Sequence, residues 1–295
     1  PYQVRRVVID IDATGFRPFA GQLDDYGREI PDAEYGPQDF EAVLSLRART
    51  EAVARHLAEY MKKTGRFAKT IVFCHDQEHA DRMRQALNNA NADLVRQHPE
   101  YVVRVTANDG DIGKGYLSTF QDVETATPVI LTTSKLLTTG VDAPMVQNVV
   151  LFRIINSMTD FKQIIGRGTR VREDYGKLFF TIVDYTGSAT SKFADPEFDG
   201  EPIEATEEHI GPEESVEEGE SIIAEDTDLV MEENGQYAAW PTGAASVNWD
   251  DDTHEPRKYY LSNGVHVSIL HEMVQELDAN GKRLRVVEFT TYTAE

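Results

Sequence analysis

The chain has 295 residues, is 40% hydrophobic and carries a formal charge of −22, a composition suited to one large or two modest globular domains. It has no apolar stretch of about 18 residues, so no membrane span is expected. Pro1-Tyr2-Gln3 opens with neither a methionine nor an apolar run, so no secretory signal is read there and the chain is expected to be a piece of a longer one.

Pooled charge is a poor guide here. Between Phe193 and Pro256 there is no Lys or Arg, against 21 Asp and Glu. Removing these from the 51 acidic residues leaves 30 against 29 basic ones, so the rest of the protein is close to neutral. Contact with nucleic acid is therefore not excluded by the overall acidity. The single cysteine, Cys74, excludes an internal disulfide and fits a reducing, cytoplasmic setting.

In chain order, residues 4–12 read as a strand, and a Gly-, Pro- and Asp-rich stretch runs on to about Pro37. Residues 1–37 are thus a lead-in strand and connecting loop. From Gln38 to Lys63, apolar Phe40, Val43, Leu44, Val53, Leu57, Tyr60 and Met61 recur at helical spacing.

Short apolar runs follow at 70–74, 101–105, 129–131, 149–152 and 178–183, with helical stretches at 77–91 and 157–166 between them. The runs are continuously apolar, as expected of strands covered on both faces. Ser157 and Asp160 have the spacing of a helix capping box. Over 38–192 this alternation predicts an α/β fold, an open parallel sheet with helices on both faces, whose ligands meet the carboxyl ends of the strands.

Residues 193–256 are read as an acidic linker, with a DNA-mimicking flap or a docking strip for a basic partner as alternatives. Residues 257–295 are read as the start of a β-rich region. There 259–270 and 273–290 each carry an Asn-Gly pair and are hairpin candidates.

Three patterns carry chemistry. Residues 163–170 read Gln-Ile-Ile-Gly-Arg-Gly-Thr-Arg. Gln163, Arg167 and Arg170 fall on one face of a helix, with Ile164 and Ile165 turned away from it. Two arginines so placed call for an anion, a triphosphate being the obvious one; a salt-bridged helix end is the plainer alternative. The second pattern, Leu131-Thr-Thr-Ser-Lys-Leu-Leu-Thr-Thr-Gly-Val-Asp-Ala-Pro, ends a strand in hydroxyls and continues into a loop with Gly140 and Asp142. The third, Lys69-Thr-Ile-Val-Phe-Cys-His-Asp-Gln, delivers polar residues at a strand end. Strand-end and cap chemistry is the alternative for the threonines.

Taken together, these patterns resemble motifs IV, V and VI of superfamily 2 helicases and translocases, and the sheet resembles the second of their RecA-like (P-loop NTPase type) domains. The resemblance implies that Arg167 and Arg170 act as arginine fingers, with Gln163 sensing the γ-phosphate. It also implies that Gly140 and Asp142 touch nucleotide or hold the arginines in place, that Gly166 touches nucleotide, and that Thr133, Thr138, Thr139 and His75 meet DNA phosphates.

A Gly-x-x-x-x-Gly-Lys-Ser/Thr motif is missing, since Gly110-Asp-Ile-Gly-Lys-Gly lacks its spacing and final hydroxyl. ATP and Mg²⁺ are thus expected to need a first RecA-like domain, and this chain alone is expected to be inactive.

Val7-Val-Ile-Asp-Ile-Asp, Tyr26-Gly-Arg-Glu-Ile-Pro, Ala80-Asp-Arg-Met-Arg-Gln-Ala-Leu, Val150-Leu-Phe-Arg and Phe193-Ala-Asp-Pro-Glu-Phe-Asp-Gly sharpen the likeness. They resemble the motor (HsdR) subunit of type I restriction endonucleases over residues 1–200, and more weakly over 256–295. That implies an ATP-dependent DNA translocase and deoxyribonuclease acting on double-stranded DNA, in complex with methyltransferase and specificity subunits. The alternatives are another superfamily 2 motor of repair or remodelling, or a non-catalytic acidic docking module. His75 and His79, four apart, do not make a zinc pattern, and His271-Glu-Met-Val-Gln is not His-Glu-x-x-His, so no protein-held metal is expected.

Overall fold

A computed structural model describes residues 2–134, 143–166, 179–188, 258–277 and 283–290, together with Asp174 and Lys177. The strands are β1 (Tyr2–Ile9), β2 (Leu44–Leu46), β3 (Lys69–Cys74), β4 (Val102–Arg104), β5 (Ile130–Thr133), β6 (Val146–Phe152), β7 (Phe180–Asp184), β8 (Tyr259–Leu261), β9 (Ile269–Leu277) and β10 (Arg283–Thr290). The helices are α1 (Asp10–Thr14), α2 (Arg47–Thr64), α3 (Gln77–Ala90), α4 (Ala92–Gln97), α5 (Gly110–Gln121) and α6 (Met158–Ile165).

Eight strands form one sheet in the order β10-β9-β1-β7-β6-β3-β5-β4. From β1 to β4 every neighbouring pair is parallel, while β9 and β10 join antiparallel at the β1 side. The expected open α/β sheet is present. Its central strands are buried throughout, which explains why they read as unbroken apolar runs.

Successive strand residues point to opposite faces and feed two separate cores. Val72, Cys74, Ile130, Val150, Phe152 and Val183 pack with Val53, Leu57 and Met61 of α2 and Ala80, Met83 and Leu87 of α3. Ile71, Phe73, Leu131, Val149, Leu151 and Ile182 pack with Phe120 of α5 and Phe161 and Ile164 of α6. The two layers hold the strand ends in fixed register, and that register positions the site.

Three elements differ from expectation. The strand read over 4–12 ends at Ile9, and Asp10–Thr14 turns into α1. The helix expected over 38–63 begins only at Arg47. Glu41 sits at φ 68, and Leu44–Leu46 extends as β2 and pairs parallel with β8. The spacing of Phe40, Val43 and Leu44 therefore reflects a turn and a short strand that share the core.

The expected 259–270 hairpin does not form, because β8 takes β2 as partner instead of β9. Across 273–290 the antiparallel pairing is present, β10 against β9, and it extends the main sheet through β1. The acidic segment 193–256 lies outside the described residues.

Candidate functional site

Parallel pairing brings the carboxyl ends of β1, β7, β6, β3, β5 and β4 to one edge. The described parts of the three patterns stand at adjacent strands of that edge: β5, β3, and the helix that follows β6. At β3, exposed His75 is followed by Asp76, which caps α3 by accepting the His79 N–H at 2.7 Å. At β5, Thr133 pairs in register with Phe73 of β3. His75 and Thr133 thus share an edge on neighbouring strands.

Thr133 differs from an open phosphate contact, however. It is wholly buried, and its hydroxyl, like that of Thr132, has no hydrogen-bond partner among the described residues.

From β6 the chain enters α6 through Arg153, whose Nη2 meets Asp160 at 2.6 Å. Ser157 accepts the Asp160 N–H at 3.2 Å and caps the helix, while the Asp160 carboxylate is turned to Arg153. Along α6, Phe161 and Ile164 are buried and Gln163 is exposed, as is Gly166 at its C-cap; of the two faces expected from the spacing, Gln163 and Ile164 are the described members. The side chain of Ile165 is outside the description, as are Arg167, Arg170, Thr138, Thr139, Gly140 and Asp142.

The turn after β7 steadies the same corner. Asp184 accepts the backbone N–H groups of Thr186 and Gly187, each at 3.0 Å. Ser188 accepts the Ile155 N–H at 2.9 Å. Gly187 has φ +71, and a Cβ there would come within 3.2 Å of the Arg6 guanidinium, so both conformation and space favour glycine.

A cluster of buried charge was not foreseen. Arg49 meets Asp12 with two bonds of 2.7 and 2.6 Å, and its guanidinium lies 4.5 Å over the Phe152 ring. Glu41, almost fully buried, accepts from Arg82, with Lys258 3.5 Å away. Burial drives the Glu41 carboxyl upward, yet Arg82, Lys258 and Arg49, joined by His79 when that ring is protonated, hold it at about 2.

His79 behaves in the opposite way: burial pushes its imidazole down to about 3, so it is neutral at pH 7. Its Nδ1 accepts the His75 N–H at 3.1 Å, which places the proton on Nε2, and that atom has no partner among the described residues. These residues come from positions 12 to 258, and no local spacing announces them. Among the described residues no group of three or more His, Cys, Asp or Glu is arranged to hold a metal ion, and no helix is long and apolar enough to cross a membrane.

The helicase conserved C-terminal domain family matches residues 50–172, a span that contains all three patterns. The endonuclease subunit of the type I restriction enzyme EcoAI from Escherichia coli is 44% identical over 302 aligned positions, covering 99% of this chain. Over nearly its whole length the chain is similar to part of a type I restriction endonuclease (HsdR) subunit. The EcoKI endonuclease subunit of E. coli strain K12 is 32% identical over 55% of the chain. A solved fragment assigned as an HsdR subunit from Vibrio vulnificus YJ016 is 71% identical, covers 53% of this chain and 30% of that one, and superposes with a TM-score of 0.51. The chain spans 37% of the length of the EcoAI subunit and 14% of the EcoKI subunit.

Proposed function

We propose that this chain is the second motor domain of an ATP-dependent, DNA-translocating restriction endonuclease subunit. The observation that supports the reading is that the described parts of the three patterns stand at adjacent parallel strands, within a chain 44% identical to a type I restriction endonuclease subunit. In this reading Arg167 and Arg170 are the arginine fingers and Gln163 senses the γ-phosphate. Gly140, Asp142 and Gly166 line the nucleotide, and His75, Thr138 and Thr139 contact the DNA backbone, while Thr133, wholly buried, stands back from it at the end of β5.

ATP with Mg²⁺ supplies the phosphoryl-transfer chemistry. Gln163 on α6 and Gly166 at its C-cap are both solvent-exposed, on the side from which a phosphate held by a first RecA-like domain would come in this reading. The glycines at 110–115 form no phosphate loop; they open α5, where Lys114 pairs with Asp111 in the open. The chain therefore acts from across a cleft. Arginines held against the transferring phosphoryl stabilise charge that appears only in the transition state, an effect worth roughly 10³–10⁵ in rate. Backbone contacts through hydroxyl and imidazole donors ignore base sequence, as a translocating motor requires; methyltransferase and specificity subunits then provide target choice in a cytoplasmic complex on double-stranded DNA.

The test is DNA-stimulated ATP turnover by the full-length subunit carrying Arg167→Ala or Arg170→Ala. Turnover is expected to disappear while nucleotide binding persists. Turnover retained in both variants overturns the reading.

A further inference from the structure

Lys258 follows the long acidic segment, yet its side chain is 10% exposed and sits on the first turn of α3, 182 residues away in sequence. Its Nζ lies 2.9 Å from Asp76 Oδ2 and 3.5 Å from Glu41 Oε2. Its carbonyl accepts from Arg28 Nη2 at 2.6 Å, and the next residues are fixed too: Tyr260 donates its hydroxyl to Glu78 at 2.6 Å. A lysine held this way is no loose surface charge.

Asp76 is next to His75. It caps α3 through the His79 N–H, and His79 in turn accepts the His75 N–H. The Asp76 carboxylate, 40% exposed, therefore stands at the strand end assigned above to the DNA backbone. A bare carboxylate there would repel phosphate, while one neutralised by an ammonium would not.

We propose that Lys258 is a positioning residue for DNA: by neutralising Asp76 and fixing the β3–α3 turn, it presents His75 to the phosphate backbone. The proposal rests on the motor reading above. A turn already ordered in the free protein also spends less binding energy on ordering when DNA arrives.

The experiment uses the full-length subunit and linear duplex DNA, reading the DNA concentration that gives half-maximal ATPase stimulation. Lys258→Ala is expected to raise it about five- to tenfold, a size typical of residues acting through a neighbour. The increase is expected to be larger at low salt, because a partly exposed carboxylate is screened as ionic strength rises. Lys258→Arg is expected to stay near the unsubstituted value. Adding Asp76→Asn to Lys258→Ala is expected to restore most of the loss, because asparagine still caps the helix but carries no charge.

An unchanged half-maximal concentration in Lys258→Ala overturns the proposal. So does weakening that Asp76→Asn does not relieve and that affects ATP and DNA dependence equally, which is the mark of a packing role. If Lys258→Ala does not fold, Asp76→Asn alone carries the test. It frees the Lys258 charge and is expected to lower the DNA concentration about two- to threefold, and a rise overturns the idea. An unsubstituted protein without DNA-stimulated turnover overturns the motor reading as well; normal stimulation that Lys258→Ala leaves untouched overturns this proposal only.

Discussion

The Arg49 guanidinium grips the Asp12 carboxylate with two hydrogen bonds, joining α2 to the short helix after β1, and only 4% and 11% of the two side chains are exposed. Burial alone would lower the Arg49 pKa, but Asp12 and Glu41 raise it, so the charge stays on. Breaking a pair of this kind from one side strands the other charge in the interior. Arg49→Met is therefore expected to cost about 3–5 kcal/mol. Arg49→Lys is expected to recover only part of that, because an ammonium does not reproduce the planar fork. Chemical unfolding of the three proteins decides it: a loss below about 1 kcal/mol in Arg49→Met would show that the pair is not held as described.

Ser188 secures the entry to α6. Its hydroxyl accepts the buried Ile155 N–H and meets the Thr186 hydroxyl at 2.8 Å. Ser188→Ala leaves that N–H without its acceptor, an expected cost of about 1–3 kcal/mol. The loss should be local. Amide exchange is expected to quicken over 155–165, where Gln163 is carried, and to stay unchanged in β3. Uniformly faster exchange, or none, would remove Ser188 from this role.

Much of this arrangement was legible in the sequence because it depends on local pattern. The strands of the central sheet are apolar runs bounded by polar residues, and burial on both faces explains each run. The α6 cap at Ser157 and the division between Gln163 and Ile164 follow from spacing alone. What was not legible depends on partners far apart in the chain. In the sequence β2 reads as part of a helix because its partner, β8, lies more than 200 residues on. The Asn263-Gly264 pair suggested a hairpin, but Tyr259–Leu261 pairs more profitably with a strand already held against the core. The charge cluster is silent in the sequence for the same reason: Asp12, Glu41, His79 and Lys258 have no common period, and only the folded sheet edge makes them neighbours.

His79 makes a prediction about acid. Its ring is neutral in the folded protein because burial holds it near 3, against an ordinary value of 6.5. A base with a depressed folded-state pKa binds protons more readily when unfolded, so stability is present above pH 6.5 and is lost as pH falls from there toward 3. His79→Gln removes the titrating group and keeps a carbonyl for the His75 N–H. Its unfolding midpoint is expected to fall less between pH 6.5 and 5 than that of the unsubstituted protein. Parallel curves over that interval would count against a buried neutral ring.

Lys69 makes the complementary prediction in base. Its ammonium is largely buried, donates to the Pro128 carbonyl at 2.8 Å and lies 5.1 Å from the Phe120 ring centre. Burial pushes it down to about 8, with Asp122 pulling more weakly the other way. Between pH 8 and 10.5 the unfolded chain then holds a proton that the folded one has lost, so this group makes stability rise with pH across that window. Below pH 8 the charged ammonium is a burden that the fold carries. Lys69→Met is accordingly expected to be neutral or stabilising at pH 7 and to reduce the rise toward pH 10. Lys177, buried and also held near 8 by desolvation, contributes a similar slope, so the rise flattens further only when both are replaced. Unfolding midpoints of Lys69→Met across pH 7 to 10 check the argument. A loss of more than about 1 kcal/mol at pH 7 would mean that the hydrogen bond to Pro128 outweighs the cost of burying the charge.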